Sequence, residues 1–406
     1  MVGNTRPRQG LRRWLSTRIR AMRLSRRVRL HHTLRVVREH ERSHTRDLLP
    51  QPAAAPRLWQ RYLLVPLITM IRGIRNGLVW LRTVVLPAPA PVLDVDPAQF
   101  LVVGHRGACA SAVENTLESC ERAVAIEGAD AVEIDLCVTQ DEQVVVWHDW
   151  DPDGLVAVAR QAEAEPFVLC RPVVPPAGHP LRRPVCDLTL AELRAHYGYA
   201  VVGQAQTVPA YLPVLEEVVR WAWTKPQLKA VFLDCKVPAA RKELITVVAT
   251  TLRREVEREP VEARFVFLTP YPEVFAVMQA VVPAAGRSFD VEIPAGFFPA
   301  HTQLSAVAVA RVAGNGWASI GRPFFTLGGW WIFQKTIRAD LARMRAARGT
   351  TPPVPPDSYI CWTINRTREM RYLMRLGVSG ILTDFPASLR RLRDRQCRTD
   401  TGHRTL

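Results

Sequence analysis

At 406 residues and 48% apolar content, the chain can bury one large core with an extension to spare, which excludes both a small disulfide-stapled fold and a wholly disordered chain. The formal net charge of +16 gathers largely before residue 50, so it favours an anionic partner for that segment and does not describe the rest. The cysteines, Cys109, Cys120, Cys137, Cys170, Cys186, Cys235, Cys361 and Cys397, show no CxxC spacing and no zinc-like cluster. Dispersed thiols fit an intracellular, reducing compartment, and residues 1–30 lack the apolar segment of a secretory signal.

Residues 1–56 are Arg-rich and acid-poor. They read as a disordered basic tail, an organelle-targeting segment or a nucleic-acid contact, the last without the aromatics that base stacking needs, so a nucleic-acid partner is not expected. Residues 57–86 are densely apolar, but Arg72, Arg75 and Arg82 make a membrane-spanning helix costly. At 100° per residue, Arg61, Arg72, Arg75 and Arg82 share one sector, opposite Met70, Ile74, Leu78, Leu81 and Val85. This predicts a basic amphipathic helix bent at Pro66, suited to a membrane surface or to packing on the following domain. Pro87-Ala88-Pro89-Ala90-Pro91 reads as a stiff linker, closing an extension at residue 92.

From residue 98 to about 390, strand-like and helix-like runs alternate, the pattern of a parallel sheet, with 391–406 left as a C-terminal tail. A strand at 100–103 stops at Gly104-His105-Arg106-Gly107. A helix at 116–127 follows, with Asn115 able to cap it and Gly128 able to end it. A strand over 131–136 carries Glu133 and Asp135, and another over 143–147 runs into His148-Asp149. Positions i and i+2 of a strand face the same side, so the two carboxylates project together. Like charges so placed repel unless they face solvent or share a cation, and oxygen ligands of this kind suit a hard divalent metal.

Residues 150–186 are Pro-rich and predict an extra loop near the same face. Further helices are predicted over 187–196, 211–223, 242–257, 273–281, 333–348 and 367–376. Further strands are predicted over 230–236, 265–268, 317–320, 359–363 and 380–383, with one more in 286–349. On the strand at 230–236, Asp234 and Lys236 share a face. The count is about eight strands, a (β/α)8 TIM barrel, and in such a barrel reactive groups collect at the C-terminal strand ends.

His105-Arg106-Gly107, Glu114-Asn115-Thr116, Gly128-Ala129-Asp130, Glu133-x-Asp135 and His148-Asp149 resemble the glycerophosphodiester phosphodiesterase family, of the phospholipase C-like TIM-barrel superfamily. The resemblance continues in Pro213-x-Leu215-Glu216-Glu217, Asp234-x-Lys236, Trp362-Thr363-x-Asn365 and the run from Gly377 through Thr383-Asp384 to Pro386. It implies a metal-dependent phosphodiesterase acting on glycerophosphodiesters or lysophospholipids. Glu133, Asp135 and Asp234 would hold one Mg²⁺ or Ca²⁺. His105 and His148 would be the acid–base pair. Arg106 and Lys236 would hold phosphate oxygens, Glu114 would orient Arg106 or a glycerol hydroxyl, and Trp362 would line the pocket. Asp234 departs from the family's usual Glu and is similar to the related phospholipase D and sphingomyelinase D toxins. That change, with the altered stretch after Asp149, leaves two alternatives: a phospholipase D-like activity, or a catalytically silent lipid- or phosphate-binding barrel.

Overall fold

The computed structural model describes residues 91–403 apart from 93–94, 259–262, 270–271, 283–285, 292–304, 323–328 and 350–355. The expected basic tail at 1–56 and amphipathic helix at 57–86 lie outside the described residues.

The strands are β1 (Leu101–Gly104), β2 (Ala131–Val138), β3 (Val144–Val146), β4 (Cys170–Val173), β5 (Gly198–Val201), β6 (Thr207–Val208), β7 (Ala230–Cys235), β8 (Arg264–Leu268), β9 (Gly286–Val291), β10 (Trp317–Gly321), β11 (Ser358–Trp362) and β12 (Gly380–Thr383). The helices are α1 (Leu117–Glu121), α2 (Leu155–Gln161), α3 (Leu190–His196), α4 (Leu215–Trp223), α5 (Lys242–Arg258), α6 (Pro272–Val281), α7 (Ala306–Val312), α8 (Gly329–Ala347), α9 (Thr367–Leu376) and α10 (Pro386–His403). In the order β1-β12-β11-β10-β9-β8-β7-β2, the strands pair in parallel, and a further β1–β2 pairing closes the ring. This is the (β/α)8 barrel that the alternating pattern predicts.

Alternation along each strand sorts the side chains into two layers. Leu101, Val103, Ala131, Ala230, Phe232, Val266, Leu268, Trp317, Ile360 and Leu382 fill the barrel interior. Their neighbours, such as Val102, Val132, Ile134, Val231 and Leu233, face outward into the helix layer. On β2 the inward positions turn from apolar to acidic toward the C-terminal mouth, with Glu133 and Asp135 following Ala131.

Four expectations need correction. The run at 143–147 is not a barrel strand: β3 pairs antiparallel with β2, Val146 opposite Leu136. Only residues 139–143 separate the two runs, enough for a hairpin and too few for the crossover a parallel pair requires. Helix α1 is capped by Thr116, whose side chain accepts from the Ser119 N–H. Asn115 is left-handed at φ 57° and uses its side chain elsewhere. The segment after Asp149 is not a loop throughout, since it forms α2 and β4, and β4 joins β5 and β6 in a small antiparallel sheet. Pro172 sits on the edge strand of that sheet, where a missing N–H is tolerated. Trp147, Tyr199, Leu188, Leu193 and Leu212 form its core. Finally, α10 crosses the boundary drawn at residue 390. Leu389 and Leu392 are buried, and Arg393 donates to the Phe100 carbonyl at 3.2 Å and pairs with Asp130.

None of the cysteines forms a disulfide, and all but Cys397 are buried. Among the described residues, no helix is long and apolar enough to cross a membrane.

Candidate active site

β2 and β7 are parallel neighbours with Asp135 opposite Asp234. Inward alternation therefore brings Glu133, Asp135 and Asp234 to one mouth of the barrel, with one oxygen of each lying within 4.8 Å of the others. Asn115 clamps Asp135 from two sides. Its Nδ2 donates to Asp135 Oδ2 at 2.8 Å, and its Oδ1 accepts the Asp135 N–H at 3.1 Å. Lys236, just past β7, places Nζ 3.1 Å from Asp135 Oδ1 and pairs with Asp234.

The carboxyls do not share their countercharge equally. Burial, then the charge of Asp135, pushes the Glu133 carboxyl up to about 8. Burial also opposes ionisation of Asp135, but Lys236, His148 and Arg106, with the Asn115 hydrogen bond, hold it well below the usual carboxylate range. Burial presses the Lys236 ammonium down, and Asp135 and Asp234 more than reverse this. An all-carboxylate donor set with one member starved of positive charge fits a hard divalent cation.

His105 sits on a tight turn after β1. Arg106 (φ 49°) and Gly107 (φ 81°) are both left-handed. A Cβ at Gly107 would lie 2.5 Å from Ser119, so the close packing of this turn on α1 requires glycine there. Ser119 Oγ donates to the Arg106 carbonyl at 2.9 Å, and the Arg106 N–H donates to Glu133 Oε2 at 2.9 Å. His105 Nδ1 lies 2.6 Å from Asp384 Oδ1, which leaves Nε2 toward Glu133 at 4.0 Å. Asp384 accepts from Asn365 Nδ2 and from the Cys109 thiol, the latter at 3.2 Å. Burial and Arg106 press the His105 pKa down, yet the hydrogen bond and charge of Asp384, with Glu133, leave it raised.

His148 follows the β3 hairpin strand and reaches the same mouth. Its Nδ1 lies 2.6 Å from Asp149 Oδ1. Burial, Arg160 and Arg106 together lower its pKa. Arg160, on α2, stands 2.8 Å from Asp149 Oδ2 and pairs with Glu114.

Arg106 is buried, with Nη1 bonded to Glu114 at 2.8 Å and to Glu165 at 3.0 Å, and Nε 3.1 Å from Asp135. Glu114 is also buried and engaged by two guanidiniums, which supports orienting Arg106 over binding a glycerol hydroxyl. Trp362 lies over Gly321, where a Cβ would come within 2.7 Å of its ring, and it packs on the barrel interior. All the sequence-predicted site residues thus gather at this end. Sequence reasoning assigned no part in the site to Asn115, Asp149, Asn365 or Asp384, although each stands inside a quoted motif. Arg160 and Glu165 carry no sequence signal, since they lie in the stretch that reads as a loop.

The closed barrel thus gathers carboxylates and two carboxylate-bound histidines at its C-terminal mouth. Residues 105–282 match the model of the Glycerophosphoryl diester phosphodiesterase family. The chain is 24% identical over 307 residues to Lysophospholipase D GDPD1 of Homo sapiens, covering 71% of this chain and 84% of that protein. It is 23% identical over 289 residues to the uncharacterized protein YqiK of Bacillus subtilis (strain 168), covering 70% of this chain and 95% of that one. The crystal structure of a protein assigned as a glycerophosphoryl diester phosphodiesterase, from Silicibacter pomeroyi DSS-3, superimposes with a TM-score of 0.53. It is 22% identical and covers 72% of this chain and 92% of that one, a likeness of fold. The family match covers residues 105–282, the segment that holds His105, Glu133, Asp135, His148 and Asp234.

Proposed function

We propose that the chain is a metal-dependent phosphodiesterase that hydrolyses glycerophosphodiesters or lysophospholipids to a phosphate monoester and an alcohol. The observation that carries this is the gathering of Glu133, Asp135 and Asp234 between His105 and His148. The lysophospholipid arm also draws on the human relative, a lysophospholipase D by name.

Those three carboxylates would hold Mg²⁺ or Ca²⁺, which supplies charge neutralisation for the anionic diester when bound. The opposite pKa shifts divide the labour of the histidines. His148, whose pKa is lowered, takes the proton from the attacking hydroxyl: water gives the monoester directly, while the substrate's own neighbouring hydroxyl gives a cyclic phosphate that a second attack, by water, opens to the monoester. His105, whose pKa is raised, delivers a proton to the departing alkoxide. Asp149 and Asp384 fix each ring by its Nδ1, so Nε2 is the working nitrogen on both. Lys236, part exposed beside Asp135 and Asp234, holds a phosphate oxygen, with Arg106 behind it.

The test uses purified protein with glycerophosphocholine and lysophosphatidylcholine, each with Mg²⁺ or Ca²⁺, and identifies both products. Wild type turns over a member of the panel only with metal. His105→Ala and Glu133→Ala each lose about a thousandfold or more in kcat. Full metal-dependent hydrolysis by either variant overturns the reading.

For residues 57–86 the proposal is a peripheral membrane contact, supported by the separate Arg and aliphatic sectors that the sequence would place on a helix. Co-sedimentation with anionic vesicles should vanish when residues 1–92 are deleted; unchanged co-sedimentation contradicts it.

A further inference from the structure

Helix α2 is built inside out. It exposes Leu155 (52%) and Val156 (61%) and buries Arg160 (4% exposed) beside Ala157. Apolar burial alone would turn such a helix over. Ion pairs hold it in this orientation. Arg160 Nη1 is 2.8 Å from Asp149 Oδ2, its Nη2 bonds Glu114, and its Nε donates to Glu165 at 2.7 Å. Glu165 in turn reaches Arg106 at 3.0 Å. Left-handed Glu163 (φ 60°) and Phe167 (φ 71°) bracket Glu165, a backbone that persists only when surrounding contacts over-determine it. Phe167 then packs edge-on against Phe385 at 5.5 Å, next to Asp384 on the far side of the mouth.

We propose that Arg160 and Glu165 are positioning residues, and that the segment from Trp150 to Leu169 is a strap tying the two histidine motifs into one unit. Arg160 holds Asp149, which holds His148; through Glu114 and Glu165 the same guanidinium fixes Arg106, the neighbour of His105. The proposal rests on the hydrolase reading for its kinetic arm alone.

Arg160→Ala would leave Asp149 and Glu114 buried with less countercharge and is prone to misfold. Arg160→Lys keeps the charge, but an ammonium cannot span Asp149, Glu114 and Glu165 as a guanidinium fork does. The experiment compares full-length wild type and Arg160→Lys by steady-state kinetics with the substrate panel above, well below the melting temperature. Proton NMR of the Nδ1–H resonances of both histidines is recorded alongside. Each histidine has a carboxylate 2.6 Å from Nδ1, so each yields a downfield signal; that of His148 rests on Asp149, which Arg160 holds directly, whereas the Nδ1 bond of His105 is to Asp384, which Arg160 does not touch. The variant should lose about 10- to 100-fold in kcat with KM changed less than about threefold, and should lose the His148 signal while keeping that of His105. Unchanged kcat with both signals intact, or loss of both signals together, overturns the proposal. If wild type turns over none of the panel, the functional reading fails while the resonances still decide this one.

Discussion

Glu165 is held between two buried guanidiniums, Arg106 and Arg160. Burial opposes its charge, but those two cations dominate and keep its carboxyl well below the usual range. A depressed folded-state pKa contributes stability that is present above the unfolded value, near 4.5, and is lost as pH falls through the folded one. Glu165→Gln should therefore lower the melting temperature at pH 7, and the gap to wild type should narrow as the pH drops below about 4.5. Melting curves across this range check the sign, and a gap that widens on acidification contradicts it. Glu133 is the opposite case: burial, then the charge of Asp135, raises its carboxyl to about 8.

At the scale of elements, α10 clips the barrel's seam. Leu389 is fully buried, and Arg393 ties the helix to Phe100 and Asp130 at the entrance to β1 and β2. Ending the chain after Arg390 should lower the melting temperature by several degrees, since losing Leu392 and the Arg393 contacts removes about 2–4 kcal/mol; a truncated protein with unchanged melting would show that these contacts contribute nothing. The central elements were legible because period-two alternation survives in them, as in β2, where Val132, Ile134 and Leu136 interleave with Glu133 and Asp135. The segment from Trp150 to Leu169 was not, because its order comes from long-range ion pairs. No local pattern could announce that Arg160 would meet Asp149 and Glu114. The hairpin at β3 misled for a related reason, since a strand's direction depends on the length of its connection and its residues are silent on it.

At the scale of the whole molecule, the barrel segregates its chemistry along one axis. Among the described residues the interior is apolar from Leu101 to Phe232, and the carboxylates gather at the mouth where β1, β2, β7 and β12 end. The site residues were legible in the sequence as short motifs at strand ends; their partners needed the closed ring, which brings Asp384, just past β12, against His105, just past β1. Closure also sets Asp234 beside Asp135 although ninety-odd positions of chain intervene.

The central claim is that three carboxylates on two neighbouring strands hold one cation. Isothermal titration of Mg²⁺ and of Ca²⁺ into metal-stripped full-length protein tests it most directly, with Glu133→Gln and Asp234→Asn titrated in parallel. The account predicts one site per chain for at least one of the two ions, weakened about tenfold or more in each variant. No binding to wild type, or binding that both variants retain at full strength, would contradict it.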